Sequence, residues 1–269
     1  MKNNLLFKIL IVWLSSIIII FIGNIYFPAH WETICEICQI MNMMLVSYLS
    51  IRMFLLTPVA KRQLFPWFIV SNSFLLLSAI FYFIVSYVLK IANANNNLIS
   101  LTYMIPSVLW MGCGLYYWIR LIWVNFSIKN NIAVHIAIIL INLCYVYMIS
   151  KLQLPSLSNI STHFFAFQTY TNIISFFLFN SALYALICAR SLGMKFLSAG
   201  TISIIGANFL TTYTAFTGSY NMTIYKNNFW FFSSSIWITG LIYLIEKKDY
   251  INFEGFTRDH SMKSIITSW

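Results

Sequence analysis

The sequence predicts an all-α, polytopic membrane protein with eight transmembrane helices arranged in antiparallel hairpins. Three observations predict it. Of 269 residues, 60% are apolar or aromatic and 8% are charged, whereas soluble domains carry about one quarter charged residues. Eight apolar runs approach or exceed the length of about 20 residues that a helix needs to cross hydrocarbon. The basic residues between those runs fall mainly on alternate sides, as they do around membrane spans.

The runs cover residues 5–26, 33–56, 66–89, 101–124, 132–150, 164–188, 196–216 and 229–245. The first follows Lys2, has Lys8 in its opening turn and contains the unbroken Ile17-Ile18-Ile19-Ile20. Its exit, Gly23-Asn24-Ile25-Tyr26-Phe27-Pro28, has no small-x-small cleavage site, so this span is expected to be retained rather than removed as a signal peptide. The second opens at Thr33. The third starts at Pro66, after Lys61 and Arg62, and the fourth follows an Asn-Asn-Asn cluster. The fifth begins after Lys129, and the sixth after a loop from Lys151 to His163. Arg190 and Lys195 precede the seventh. The eighth starts after Asn227-Asn228 and stops before Lys247. Runs such as Phe74-Leu75-Leu76-Leu77 do not alternate, which excludes barrel strands.

An even number of spans with a cytoplasmic N-terminus puts thirteen of the 16 Lys and Arg residues inside, leaving Lys90, Lys151 and Lys226 outside. Adding or removing one mid-chain span would scramble that asymmetry. Both termini are therefore expected in the cytoplasm. The expected location is a bacterial inner membrane, with an organellar inner membrane as the alternative. The net charge of +10 is spread over short inner loops, which suits contact with anionic lipid and gives no platform for nucleic acid. Residues 1–245 form the expected membrane domain, and 246–269 a flexible cytoplasmic tail. Asn159-Ile160-Ser161 and Asn221-Met222-Thr223 are glycosylation sequons in form.

Ionisable residues at membrane depth are costly and mark candidate sites. Four of the six acids lie in the tail; the other two, Glu32 and Glu36, open the second span. At ~100° per residue, Glu32, Cys35, Glu36 and Gln39 fall within an arc of ~100°, with Asn42 and Cys38 at its edge. A structural account makes Thr33 and Glu36 a capping box and Trp31 an interfacial anchor. A ligand-binding account makes Glu32, Glu36 and Gln39 one side of an outward-facing pocket shared with Gln168 and Asn172 of the sixth span. A redox account uses Cys35 and Cys38, whose thiols would feel the positive end of the helix dipole. A metal account would gather His30, Glu32, Cys35, Glu36 and Cys38 on one helix end. Metal sites usually draw on several elements, so no metal is expected.

Two resemblances follow. The third and fourth spans and the seventh and eighth share a plan: a small-residue helix, an Asn-rich outer loop and a return helix containing Trp and Ser. In the second copy this runs from Gly206-Ala207-Asn208-Phe209 through Asn227-Asn228-Phe229-Trp230 to Gly240-Leu241-Ile242-Tyr243. The plan resembles the eight-helix membrane sensory input modules of bacterial signalling proteins. That resemblance implies signalling through a separate partner protein, since no output domain is expected after Ile245. Locally, the Cys35-x-x-Cys38 motif at the outer mouth resembles DsbB-type thiol oxidases. It implies quinone as cofactor and Cys35 and Cys38 as the reacting pair, but Cys113, Cys144 and Cys188 lie within spans and supply no second outer pair.

Elsewhere, His135 and Asn142 share a face of the fifth span, as do Gln168, Asn172 and Ser175 on the sixth, which suits hydrogen bonds between helices. Ala199, Ser203, Ala207 and Thr211 form a small-residue ridge on the seventh. Pro106 and Gly112-Cys113-Gly114 would permit a kink in the fourth that lines a cavity, or serve equally as packing devices. No span carries a Lys near its middle for a retinal Schiff base, an Arg series for voltage sensing, or a midplane acid for ion coupling.

The expected function is a non-enzymatic membrane sensor or binding module for a small apolar or amphipathic ligand, with no cofactor. The alternatives are the thiol-disulfide oxidoreductase and an accessory subunit of a larger membrane complex.

Overall fold

A computed structural model describes residues 2–27, 30–58, 65–90, 97–125, 132–153, 162–189, 191–217 and 221–248. The tail from residue 249, the Asn159 sequon and the basic residues Lys61, Arg62, Lys129 and Arg190 lie outside this set. The described residues form helices and no strand: α1 (Lys2–Tyr26), α2 (Trp31–Leu56), α3 (Phe65–Phe83) continued by a π-helical turn (Ile84–Val88), α4 (Asn97–Asn125), α5 (Ile132–Gln153), α6 (Thr162–Cys188), α7 (Leu192–Thr217) and α8 (Asn221–Lys247). Each apolar run of the sequence coincides with one helix. Five segments, Asn4–Tyr26, Trp31–Leu56, Phe65–Val88, Thr169–Ile187 and Asn227–Lys247, are long and apolar enough to cross a membrane.

The distribution of side chains explains why this bundle suits lipid. Leu6, Phe7, Leu10, Ile11, Leu14, Ile17, Ile18 and Phe21 of α1 are exposed, a continuous apolar surface that water would not tolerate. Inside, Ser233, Ser234, Ser235 and Thr239 of α8 are fully buried. Ser233, Ser235 and Thr239 donate to carbonyls four residues back, and Ser234 to one three residues back. Small residues whose hydroxyls are satisfied by their own helix let neighbours approach closely.

Helix α8 is the hub. It packs against α7, α2 and α1. Cys35 and Asn42 of α2 bond Asn227 and Ser234 of α8, a constant offset that makes the two helices parallel. Ser16 of α1 meets Ser235 at 2.8 Å, and Lys8 is paired with Glu246, so α1 runs antiparallel to α8. The start of α1 and the end of α8 therefore sit at the same end of the bundle. Phe54 stacks on Phe65, and Glu32 and Glu36 lie beside Tyr87, which sets α3 antiparallel to α2. Helix α4 packs on α3, α6 on α4 and α7, and α5 at the edge, where Asn142 donates to Asn180 of α6 at 2.6 Å.

One detail differs from expectation. The seam of α7 against α8 uses Gly193, Leu197 and Gly200, which lie under Leu244, Gly240 and Trp237. Ala199 and Ser203 of the predicted ridge are only half-buried, and Ala207 is fully enclosed. The interface turns on glycines because the large partners Trp237 and Leu244 need the missing Cβ. In α4, Pro106 sits inside an uninterrupted helix. Among the described residues a π-helical turn closes the third span.

Candidate functional site

The site is built at the N-terminal mouth of α2. This helix begins at Trp31 with His30 as N-cap, and no side chain caps it. Thr33 is already in the first turn, so the Thr33 and Glu36 capping box does not form at the helix start. The earlier start follows from packing: Trp31 is 2% exposed and its six-membered ring lies on Gly23 of α1, where a Cβ would collide with it. That contact holds the start of α2 against the end of α1.

Freed from capping, the acids face a neighbour. The Tyr87 hydroxyl lies within hydrogen-bonding reach of Glu32 and in the field of Glu36. Tyr87 belongs to the π-helical turn, and such turns insert a residue that rotates everything beyond it and recur at functional sites. Its ring packs against Phe83 at 5.3 Å and Tyr82 at 6.4 Å. Glu36 is 7% exposed and Gln39 5%, so a carboxylate and an amide are both buried within the bundle near the start of α2. Burying a carboxylate is costly unless polar partners surround it. The Tyr87 phenol supplies one such partner, to Glu32.

The polar arc divides between two neighbours. Glu32 and Glu36 meet Tyr87, whereas the Cys35 thiol donates to the Asn227 carbonyl of α8 at 3.3 Å. Cys35 forms an apolar cluster with Trp31 and Phe231, against which Cys38, Ile19, Ile20 and Ile34 pack. The Trp31 Nε1 and the Asn227 Oδ1, both enclosed here, have no hydrogen-bond partner among the described residues. Gln168 lies in α6 with its side chain outside the described set, and Asn172 is buried on the same helix. Helix α6 packs chiefly against α7, α4 and α5, and α2 chiefly against α8, α3 and α1. Glu32 and Glu36 thus lie near Tyr87, and Gln39 is buried one turn further along the same helix. Among the described residues no three His, Cys, Asp or Glu side chains are grouped as metal ligands.

Tyr87 was not visible to sequence reasoning as a site residue, because a tyrosine near a span end reads as an interfacial anchor. The signal that would find it is the π-turn, which has no sequence signature here.

The fold defines an all-α chain with at least five helices suited to a bilayer and one acidic, aromatic-walled cluster at a helix mouth. Comparison with protein-family models, curated proteins and solved structures finds no match to this chain.

Proposed function

We propose that the chain is a non-enzymatic multi-pass membrane sensor or ligand-binding module whose eight helices all span, with both termini cytoplasmic. Its binding site is the outward-facing cluster of Glu32, Glu36, Gln39 and Tyr87. The observation that carries this reading is the burial of Glu36 and Gln39 on one helix, with Glu32 and Glu36 near a tyrosine set by a π-helical turn. A carboxylate at that depth is costly to a folded bundle, and ligand recognition is the use that offsets the cost. Aromatic walls with few polar groups suit a small amphipathic ligand. The topology draws support from the thirteen to three division of basic residues and from the Lys8 and Glu246 pair. A sensor of this plan passes its signal to a separate protein.

The test is thermal unfolding of the full chain in lipid nanodiscs against a panel of amphipathic amines, alcohols and acids. At least one class is expected to raise the midpoint in the wild type and to lose that effect in Glu36→Gln and Tyr87→Phe. No shift with any class, or equal shifts in the variants, would overturn the reading.

A further inference from the structure

A second region, away from the mouth of α2, carries an independent argument. Three helices repeat one seven-residue pattern at the heart of the bundle. On α3, the buried Phe68 and Leu75 bracket Ser71 and Asn72; on α4, Tyr117 and Trp110 bracket Cys113 and Gly114; on α8, Trp237 and Trp230 bracket Ser233 and Ser234. Ring contacts bring the repeats into register. Phe68 meets Tyr117 at 5.3 Å and Trp237 at 6.2 Å in one layer, and Trp110 meets Trp230 at 6.3 Å in the other. Two helical turns, about 11 Å, separate the layers along the helices. Between two large aromatic layers lies a waist of small and polar side chains.

Most hydroxyl protons at that waist are committed. Ser71 donates to the Trp110 carbonyl at 3.0 Å, Ser233 to Phe229 and Ser234 to Phe231, each at 2.6 Å. Ser234 also accepts from Asn42 at 2.9 Å. The serine oxygens of α8 can therefore only accept further bonds. Asn72 differs. It is 2% exposed, lies one turn beyond Phe68 on the same buried face, and its Nδ2 has no hydrogen-bond partner among the described residues. Since α3 and α8 are antiparallel, one turn beyond Trp237 in the same direction is Ser233, so donor and acceptors share one level.

We propose that the waist is an internal hydration site in which a water molecule accepts from Asn72 Nδ2 and donates to the serine oxygens of α8. The guest must both accept and donate, which an apolar molecule does not do. The side chains named at the waist present no full charge to hold an ion. Buried polar groups in proteins are almost always satisfied, frequently by such waters, and lipid supplies no substitute.

X-ray hydroxyl-radical footprinting of the full chain in nanodiscs tests this, because radicals born from a bound water label the side chains around it. Trp110 and Trp237, each 2% exposed, are expected to be labelled in the wild type. Asn72→Leu should reduce that labelling several-fold while exposed Trp67 is labelled as before. Where Asn72→Leu does not assemble, Asn72→Val serves the same comparison. Wild-type protein in which Trp110 and Trp237 stay unlabelled, or variants labelled like the wild type, would overturn the proposal.

Discussion

Gly200 of α7 lies directly beneath the indole of Trp237 on α8, whose Nε1 donates to the Leu197 carbonyl at 2.9 Å and lies 3.3 Å from the Thr201 hydroxyl. The ring takes the place of the Cβ that glycine lacks, and a Cβ there would also come within 3.1 Å of the Ser233 carbonyl. Helix propensity alone favours Gly→Ala by about 1 kcal/mol. Overpacking costs about 1 to 3 kcal/mol and should win here. Gly200→Ala is therefore expected to lower the unfolding midpoint. Gly112→Ala, where an added Cβ meets nothing within 4 Å, is expected to leave it unchanged or raise it. Equal behaviour of the two variants in detergent unfolding would contradict this account of the seam.

The Asn42 amide and the Ser234 hydroxyl, 2.9 Å apart, join α2 to the hub. Hydrogen bonds between helices in membranes contribute about 0.6 to 2 kcal/mol. Asn42→Leu and Ser234→Ala should each destabilise the bundle by an amount in that range, and the double variant by less than their sum. Strict additivity in a double-mutant cycle would show that the contact contributes nothing.

How far the sequence foretells this molecule can be traced through particular residues. The eight helices are legible because each needs an apolar run about 20 residues long, and Ile17 to Ile20 admit no strand. The acids of the site are legible because Glu32 and Glu36 stand alone at membrane depth. Their partner is not, since the orientation of Tyr87 depends on a π-helical turn decided by packing. Helix order around α8 is likewise hidden: periodicity gives a buried face but not its neighbour. Thr33 shows the limit of local rules, because the Trp31 contact with Gly23 shifts the helix start past the motif that would cap it.

Lys8 and Glu246 clasp the start of α1 to the end of α8. Both side chains are about a third or more exposed, at 43% and 31%, and such pairs contribute about 0 to 1 kcal/mol. The pair is a marker of topology more than a source of stability. Lys8→Ala is expected to leave the unfolding midpoint nearly unchanged, whereas cysteines placed at 8 and 246 should crosslink in intact cells. A membrane-impermeant thiol reagent added outside should react with a cysteine at position 226 and not with one at 247. Reaction at 247 from outside would sink the proposed orientation.

The two cysteines at the mouth of α2 give a chemical prediction with a definite sign. Thiol exchange needs an accessible thiolate. Cys35 is 1% exposed, donates its proton to the Asn227 carbonyl and packs with Trp31 and Phe231, and Cys38 borders the same apolar cluster. Nothing in that cluster is positively charged, so nothing in it stabilises a thiolate. In the folded protein Cys35 is expected to react with an impermeant maleimide far more slowly than after denaturation. Cys35→Ser and Cys38→Ser are expected to preserve the ligand-dependent thermal shift on which the binding reading rests. Thiol trapping of membranes with and without reductant makes the comparison direct. A Cys35 and Cys38 pair that cycles between disulfide and dithiol would mean that this mouth opens far enough to expose a buried sulfur, and the oxidoreductase would then displace the sensor as the better account of the site.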